Sequence, residues 1–294
     1  MRTLACLLTL LAVLAASPAA AQTTEMTMYV SVLDAEKRPV PGLGPDDFVV
    51  REDGRVREVL RAGRTSDPIE LAILIDNSQA MQQHILDLRR ALTPFVTRLA
   101  GEQANIVLIG MGDRPTVLAG YTQSASELTR AVERIFPLPA SGMVFQDSVN
   151  DATRGLVRRE NPRKVLLAVM SEGADFSNIP YQRTLETLKD SGVQFHAVVL
   201  TDTRGGFGGQ TERERGIVLD DGVQRTGGRR HDVLTSMAFG DALETVAEDL
   251  LNQYKVVYAR PGALVPPTRW EVAVERPGVT ARGTLVRPEP GGTK

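Results

Sequence analysis

Between Pro68 and Gln253 the chain alternates short, almost unbroken apolar runs with longer segments whose apolar residues return every three or four positions. The runs are Leu71–Ile75, Ile106–Met111, Val165–Met170 and Val193–Leu200. A strand covered on both faces has no polar side, so these runs predict the inner strands of a parallel sheet. The amphipathic segments supply the covers. Their stripes are Ile85, Leu88, Leu92 and Leu99; Leu128, Val132 and Ile135; Val149, Ala152 and Leu156; Leu185 and Leu188; and Leu243, Val246, Leu250 and Leu251. The first helix is expected to kink or stop at Pro94. The second opens on Ser124–Glu127, a capping-box pattern. Pro115–Ala119 reads as a short antiparallel edge strand. Together these elements predict an α/β fold built on a doubly wound, mostly parallel sheet.

The pattern changes on either side of residues 68–253. In the N-terminal flank, 22–67, Met26–Leu33, Phe48–Arg51 and Arg57–Arg61 read as strands, with a turn at Asp53-Gly54. The C-terminal flank, 254–288, holds Tyr254–Ala259, Arg269–Glu275 and Thr280–Val286. Neither flank is large enough to bury a sheet face alone. They are therefore expected to pair into one small β-sandwich in which the α/β domain is inserted, with 289–294 a disordered tail.

Composition narrows the role. The 294 residues carry 34 basic and 36 acidic side chains, a formal charge of −2. That balance speaks against nucleic acid or an anionic membrane as partner. Residues 1–21 have a positive start, an apolar run at Leu4–Ala16 and Ala19-Ala20-Ala21 as a small-residue cleavage site, which predicts a signal peptide. The protein is accordingly expected to be exported, to a periplasm or beyond the cell. The single cysteine, Cys6, lies in that segment, so the mature chain has no disulfide and depends on its core. No later run is long enough for a transmembrane segment. Thr203–Gln210 is glycine-rich but lacks the Gly-Lys-Ser/Thr of a nucleotide loop, and reads as a surface loop.

Candidate chemistry gathers at the carboxyl ends of the strands, where open α/β sheets bind ligands. Three loops meet there: Asp76-Asn77-Ser78-Gln79-Ala80, Ser141-Gly142-Met143, and Ser171-Glu172-Gly173-Ala174-Asp175. Their order and spacing resemble the metal-ion-dependent adhesion site (MIDAS) of von Willebrand factor A (VWA) domains. That site takes Asp-x-Ser-x-Ser, a threonine and an aspartate, because a hard divalent ion wants about six oxygens. Asp76 and Ser78 match the first two ligands. Ala80 stands in place of the second serine, Met143 in place of the threonine and Glu172 in place of the aspartate. The resemblance extends to the flanks: Asp47-Phe48 with Glu52-Asp53-Gly54, the segment Arg225–Arg229, and the ending from Leu251 onward are similar to bacterial exported VWA-related proteins. It implies a VWA domain with β flanks, export and protein binding, and brings no reaction with it.

The resulting expectation is a degenerate site without a resident cofactor, with Asp76, Ser78 and Glu172 its remaining metal ligands and Mg²⁺ the ion it would take. A soft thioether at Met143 suits Mg²⁺ poorly and would fill the vacated space. The alternative is a fold relic in which Asp76 and Ser78 bond neighbouring backbone amides. The ligand-binding face is expected to comprise Asp76, Ser78, Ser141, Met143, Glu172 and Asp175, and its partner to be a protein of the cell envelope or extracellular space. Asp113, Arg114, Asp147 and the Arg204–Arg215 loop are candidate surface residues. A drifted but metal-dependent adhesion module is one competing reading. An enzyme is another, although no Gly-x-Ser-x-Gly or His-Glu-x-x-His is present and His84, His196 and His231 adjoin no nucleophile in sequence.

Overall fold

The structure, a computed structural model, describes residues 23–201, 209–262, 265 and 267–287. The expected signal peptide, the tail and most of the glycine-rich loop lie outside these residues. The chain opens with strands β1 (Thr23–Leu33), β2 (Phe48–Glu52), β3 (Arg55–Arg57) and β4 (Val59–Arg64). Then follow β5 (Ile69–Ile75), helix α1 (Ile85–Gly101), β6 (Asn105–Gly110), β7 (Thr116–Thr122), α2 (Ala125–Glu133) and α3 (Phe145–Val157). β8 (Arg163–Ser171), α4 (Tyr181–Ser191), β9 (Gln194–Leu200), α5 (Gln210–Ile217), β10 (Arg230–Val233) and α6 (Phe239–Leu251) complete the α/β unit. β11 (Tyr254–Pro261), β12 (Trp270–Val274) and β13 (Thr280–Leu285) close the chain.

The central sheet has the order β10-β9-β8-β5-β6-β7, parallel except for β7 at its edge. All seven residues of β5 are buried, and the two-residue period of a strand divides them between two cores. Leu71, Ile73 and Ile75 face α1, α2 and α6, whereas Ala72 and Leu74 face Phe145, Val149 and Leu156 of α3 and Leu188 of α4. The unbroken apolar runs thus reflect burial from both sides. α1 does not stop at Pro94. It continues to Gly101, because Leu88, Leu92, Phe95, Val96 and Leu99 keep one buried stripe on either side of the proline.

The flank strands form two further sheets, β13-β1-β11-β4 and β12-β2-β3. Their inner faces share one apolar core that includes Met28, Val30, Phe48, Val50, Val256, Tyr258 and Leu285. The expected single strand at Arg57–Arg61 is in fact two. The chain leaves β3 at Arg57 and enters β4 of the other sheet at Val59, so the sequence run spans a change of sheet. The turn before β3 is as expected: Asp53 (φ 47°) and Gly54 (φ 79°) take the left-handed conformation that a tight hairpin requires.

One buried guanidinium joins these layers. Arg163, at the start of β8, is 4% exposed. It donates to the carbonyl of Asp67 (3.0 Å), to the carbonyl of Leu250, and through Nε (3.2 Å) and Nη2 (3.1 Å) to Gln253 Oε1. Gln253 Nε2 in turn donates to Ser31 Oγ (3.0 Å) and Gln194 Oε1 (2.7 Å). The network links β1, β8, β9 and the chain leaving α6, and burial lowers the pKa of Arg163 to about 10. A second join sits at Gly227 (φ 79°), where an added Cβ would lie 2.3 Å from the carbonyl oxygen of Gly283 in β13. Only glycine fits that approach.

Two predictions follow from these buried polar groups. Arg163→Met leaves the Gln253 amide and two carbonyls without a donor, and should lower unfolding free energy by about 2–4 kcal/mol in urea titration. His196 in β9 has no exposed surface, and burial, reinforced by the charges of His231, Arg229 and Arg282, pushes its pKa down to about 3. An unfolded histidine titrates near ~6.5, so below that pH the unfolded chain takes up a proton that the folded chain refuses. Stability is therefore full above that pH and lost as the pH falls. Between about pH 7.5 and 5.5 the loss should be about 1.4 kcal/mol, more with His231, whose pKa burial also lowers, and His196→Gln should shrink it. Equal stability of the native chain at the two pH values would contradict this assignment.

Candidate functional site

β5 delivers the chain to the switch point of the sheet, between helices that leave toward opposite faces. Asp76, the first residue beyond β5, is fully buried. Its Oδ1 accepts the Ser78 amide (2.9 Å), and its Oδ2 accepts both the Ser171 amide (3.1 Å) and the Ser171 hydroxyl (2.6 Å). The carboxylate thus clamps the end of β5 to the end of β8. Next to it, Asn77 Oδ1 accepts the Gly112 amide at 2.9 Å, which fixes the loop after β6.

The second and third loops are stitched together by main-chain bonds. Met143 forms an antiparallel bridge with Gly112 and a parallel bridge with Asp175. Its amide donates to Ala174 O (2.9 Å), and its carbonyl accepts from the Phe176 amide (2.7 Å). Asp175 turns its Oδ1 to the Phe145 amide at the start of α3 (3.3 Å) and to Ser177 N (3.0 Å) and Oγ (2.6 Å). Burial raises its pKa above the usual carboxylate range, against these hydrogen bonds and the charge of Arg215. Ser141 donates its hydroxyl to Leu138 O at 2.8 Å.

The expected site residues therefore divide. Asp76, Ser78, Met143 and Asp175 form a buried floor, with Ser141 beside it. Glu172 lies on the exposed side, its carboxylate 3.9 Å from Arg230 Nη2. Ala80 and Glu172 border a cleft of about 280 Å³ that His84, Ser171, Gly173 and Leu234 also line. Exposed apolar side chains rise around this face: Phe136, Phe176, Leu234 and Met237.

A divalent ion fits the donor set poorly. Both oxygens of Asp76 already accept hydrogen bonds, and the fully buried Met143 presents a thioether where a hydroxyl would be needed. A Cβ built on Gly173 would lie 2.5 Å from Ala80 Cβ and 3.7 Å from Met143 Cε, so methyl groups crowd the space. Among the described residues, no three His, Cys, Asp or Glu side chains gather as a metal-binding group. Ser78 Oγ and Asp175 Oδ2 are buried without a hydrogen-bond partner.

The sequence did not disclose the most consequential neighbour. Arg215, expected on an exposed loop, lies in α5 and is 4% exposed. Its Nη1 donates to Gly173 O (2.6 Å) and stands 4.0 Å from Met143 Sδ. Burial lowers its pKa, opposed by the charges of Asp175, Glu212, Glu172 and Asp76 in that order. A permanent cation thus sits among the acidic groups of the site. The segment Gln210–Ile217 has no apolar stripe, and its charged residues read as solvent-exposed. Acidic groups offset the burial of Arg215, Glu212 from the same helix and Asp175, Glu172 and Asp76 from distant loops.

A doubly wound sheet with an acidic loop at its switch point defines an α/β domain that binds beyond its strand ends. Residues 70–214 match the von Willebrand factor type A domain, and the chain carries a domain of that family. No curated protein matches the chain in sequence. Among solved structures, a von Willebrand factor type A protein from Catenulispora acidiphila is 11% identical over 90% of this chain and 73% of that one, with a TM-score of 0.50. Proximal thread matrix protein 1 from the mussel byssus is 14% identical over 68% of this chain and 49% of that one, with a TM-score of 0.51. An aerotolerance-related membrane protein from Bacteroides fragilis is 15% identical over 61% and 98%, with a TM-score of 0.47. At such identities the likeness is one of fold.

The hydrogen bonds of Asp76 make it a structural keystone as well as a candidate ligand. Asp76→Ala strands three buried donors and should cost at least about 2 kcal/mol, equally in EDTA and in Mg²⁺, by urea unfolding. A cost that appears only with Mg²⁺ present would assign the carboxylate to an ion instead.

Proposed function

We propose that the chain is an exported, non-catalytic protein-interaction module whose VWA domain docks a protein partner without a bound ion. The observation that carries this reading is Arg215, whose buried guanidinium lies against Met143 and Gly173 and supplies internally the positive charge that a metal would bring. VWA domains mediate protein interactions, and the cleft beside Ala80, lined by His84, Glu172 and the exposed Leu234, offers a mixed polar and apolar surface for one. Export rests on the signal-like first 21 residues. No helix among the described residues is long and apolar enough to cross a membrane.

Catalysis finds little support in the geometry. His196 is enclosed, and the Ser171 hydroxyl donates its hydrogen bond to the buried Asp76 carboxylate rather than to a histidine. A second reading, divalent-dependent adhesion through a drifted site, is favoured by one observation, the unpartnered Ser78 hydroxyl.

Thermal unfolding separates the two readings. An ion that binds only the folded chain at 100 times its Kd stabilises it by about 2.7 kcal/mol. The native chain should melt at the same temperature in EDTA, Mg²⁺, Mn²⁺ and Ca²⁺. The triple variant Ala80→Ser/Met143→Thr/Arg215→Gln should gain a Mg²⁺-dependent rise. A rise in the native chain would favour the second reading.

A further inference from the structure

Where the sandwich meets the α/β unit, away from the loop face, a cleft of about 610 Å³ opens between β12 and β13 on one side and Lys189 of α4 with Asp221–Arg225 on the other. One wall is an open sheet edge, because β12 is the outer strand of β12-β2-β3. Asp53 N donates to Arg269 O and Glu275 N to Asp47 O, and the register between these points is unbroken. The antiparallel alternation then turns the main-chain N–H and C=O groups of Trp270, Val272 and Val274 away from β2. Among the described residues no other strand pairs with them.

The side chains around this edge favour one kind of guest. Trp270 and Val272 line the cleft and are half-buried. The Arg287 guanidinium lies over the indole, 4.8 Å from its centroid, and its Nε is buried without a hydrogen-bond partner. Lys189, Arg225, Arg269 and Arg282 outnumber Asp221 and Glu271 in the lining. Both acids are already engaged, Asp221 with Arg225 at 3.2 Å and Glu271 with Arg269 at 2.6 Å, so the excess charge of the cleft is positive.

We propose that this cleft binds an extended acidic segment of a partner protein, which adds as a strand to the open edge of β12. The guest's main chain takes up the groups of Trp270 and Val272, and its alternate side chains set carboxylates against Lys189 and Arg225 and cover the indole. Main-chain pairing supplies affinity, and the charge of the cleft selects the guest and speeds its arrival. This surface is separate from the loop face and does not depend on the reading of the metal-like site.

Trp270 is the only tryptophan in the chain, so its fluorescence reports occupancy directly. The full chain is titrated with a capped Thr-Glu-Val-Glu-Val-Glu peptide and, separately, with the peptide in which lysine replaces glutamate. A saturable change in emission is expected with the glutamate peptide alone. Lys189→Glu/Arg225→Glu, or a rise in salt from about 50 to about 300 mM, should weaken it about tenfold or more. Val272→Pro removes the N–H that faces the cleft while sparing the ladder to β2, and should abolish the response without a large change in melting temperature. Phe176→Asp on the loop face should leave the response intact. No saturable change, an equal response to both peptides, or a response that survives Val272→Pro would each overturn the proposal. Emission that shifts with chain concentration alone would assign the edge to a second copy and overturn it as well.

Discussion

Asp76 holds a carboxylate with no exposed surface at the one point in the sheet where the crossover helices part. Buried charge must be answered locally by hydrogen bonds or by opposite charge. The amides of Ser78 and Ser171 and the Ser171 hydroxyl supply the first, and the order of the surrounding loops follows from them. The second comes from Arg215, which reaches in from α5 and fastens to Gly173. In this arrangement the counter-charge is a covalent part of the chain. On the proposed reading, the surface these loops present does not wait for an ion.

The same rule governs the lower end of the molecule. Arg163 is buried where the sandwich and the α/β unit share a boundary, and its donors are spent on carbonyls and on the Gln253 amide. Glu52 plays the corresponding part inside the sandwich, accepting from Tyr258 and facing Arg57 and Arg260. With Gly227 pressed against β13, these groups make the flanks a structural continuation of the α/β unit. An arginine can do this because its planar fork keeps its charge and serves several acceptors at once.

How much of this was legible depended on whether the determinant was local. The inner strands could be read because burial on both faces leaves no polar positions, as in Leu71–Ile75. That Ala80 and Met143 stand where the VWA metal site carries hydroxyls could be seen only through the family resemblance. A stop at Pro94 did not follow, since a helix packed along its whole stripe tolerates a missing donor. β10 was invisible in Arg230-His231-Asp232-Val233, whose charges disguise a strand paired on one side only with β9. Glu172 kept its charge but turned to Arg230, a direction that no spacing rule contains. Arg215 was the hardest to see, because three of the four acids that offset its burial, Asp175, Glu172 and Asp76, lie on loops far away in sequence.

The most direct test of an internally supplied cation is a titration of the native chain with Mn²⁺, followed by the electron paramagnetic resonance signal of the free ion. With Arg215 as the resident cation, the free-ion signal should grow in proportion to the Mn²⁺ added, as in buffer alone. Loss of one equivalent of free Mn²⁺ per chain, restored by excess Mg²⁺, would contradict it and return the site to the metal.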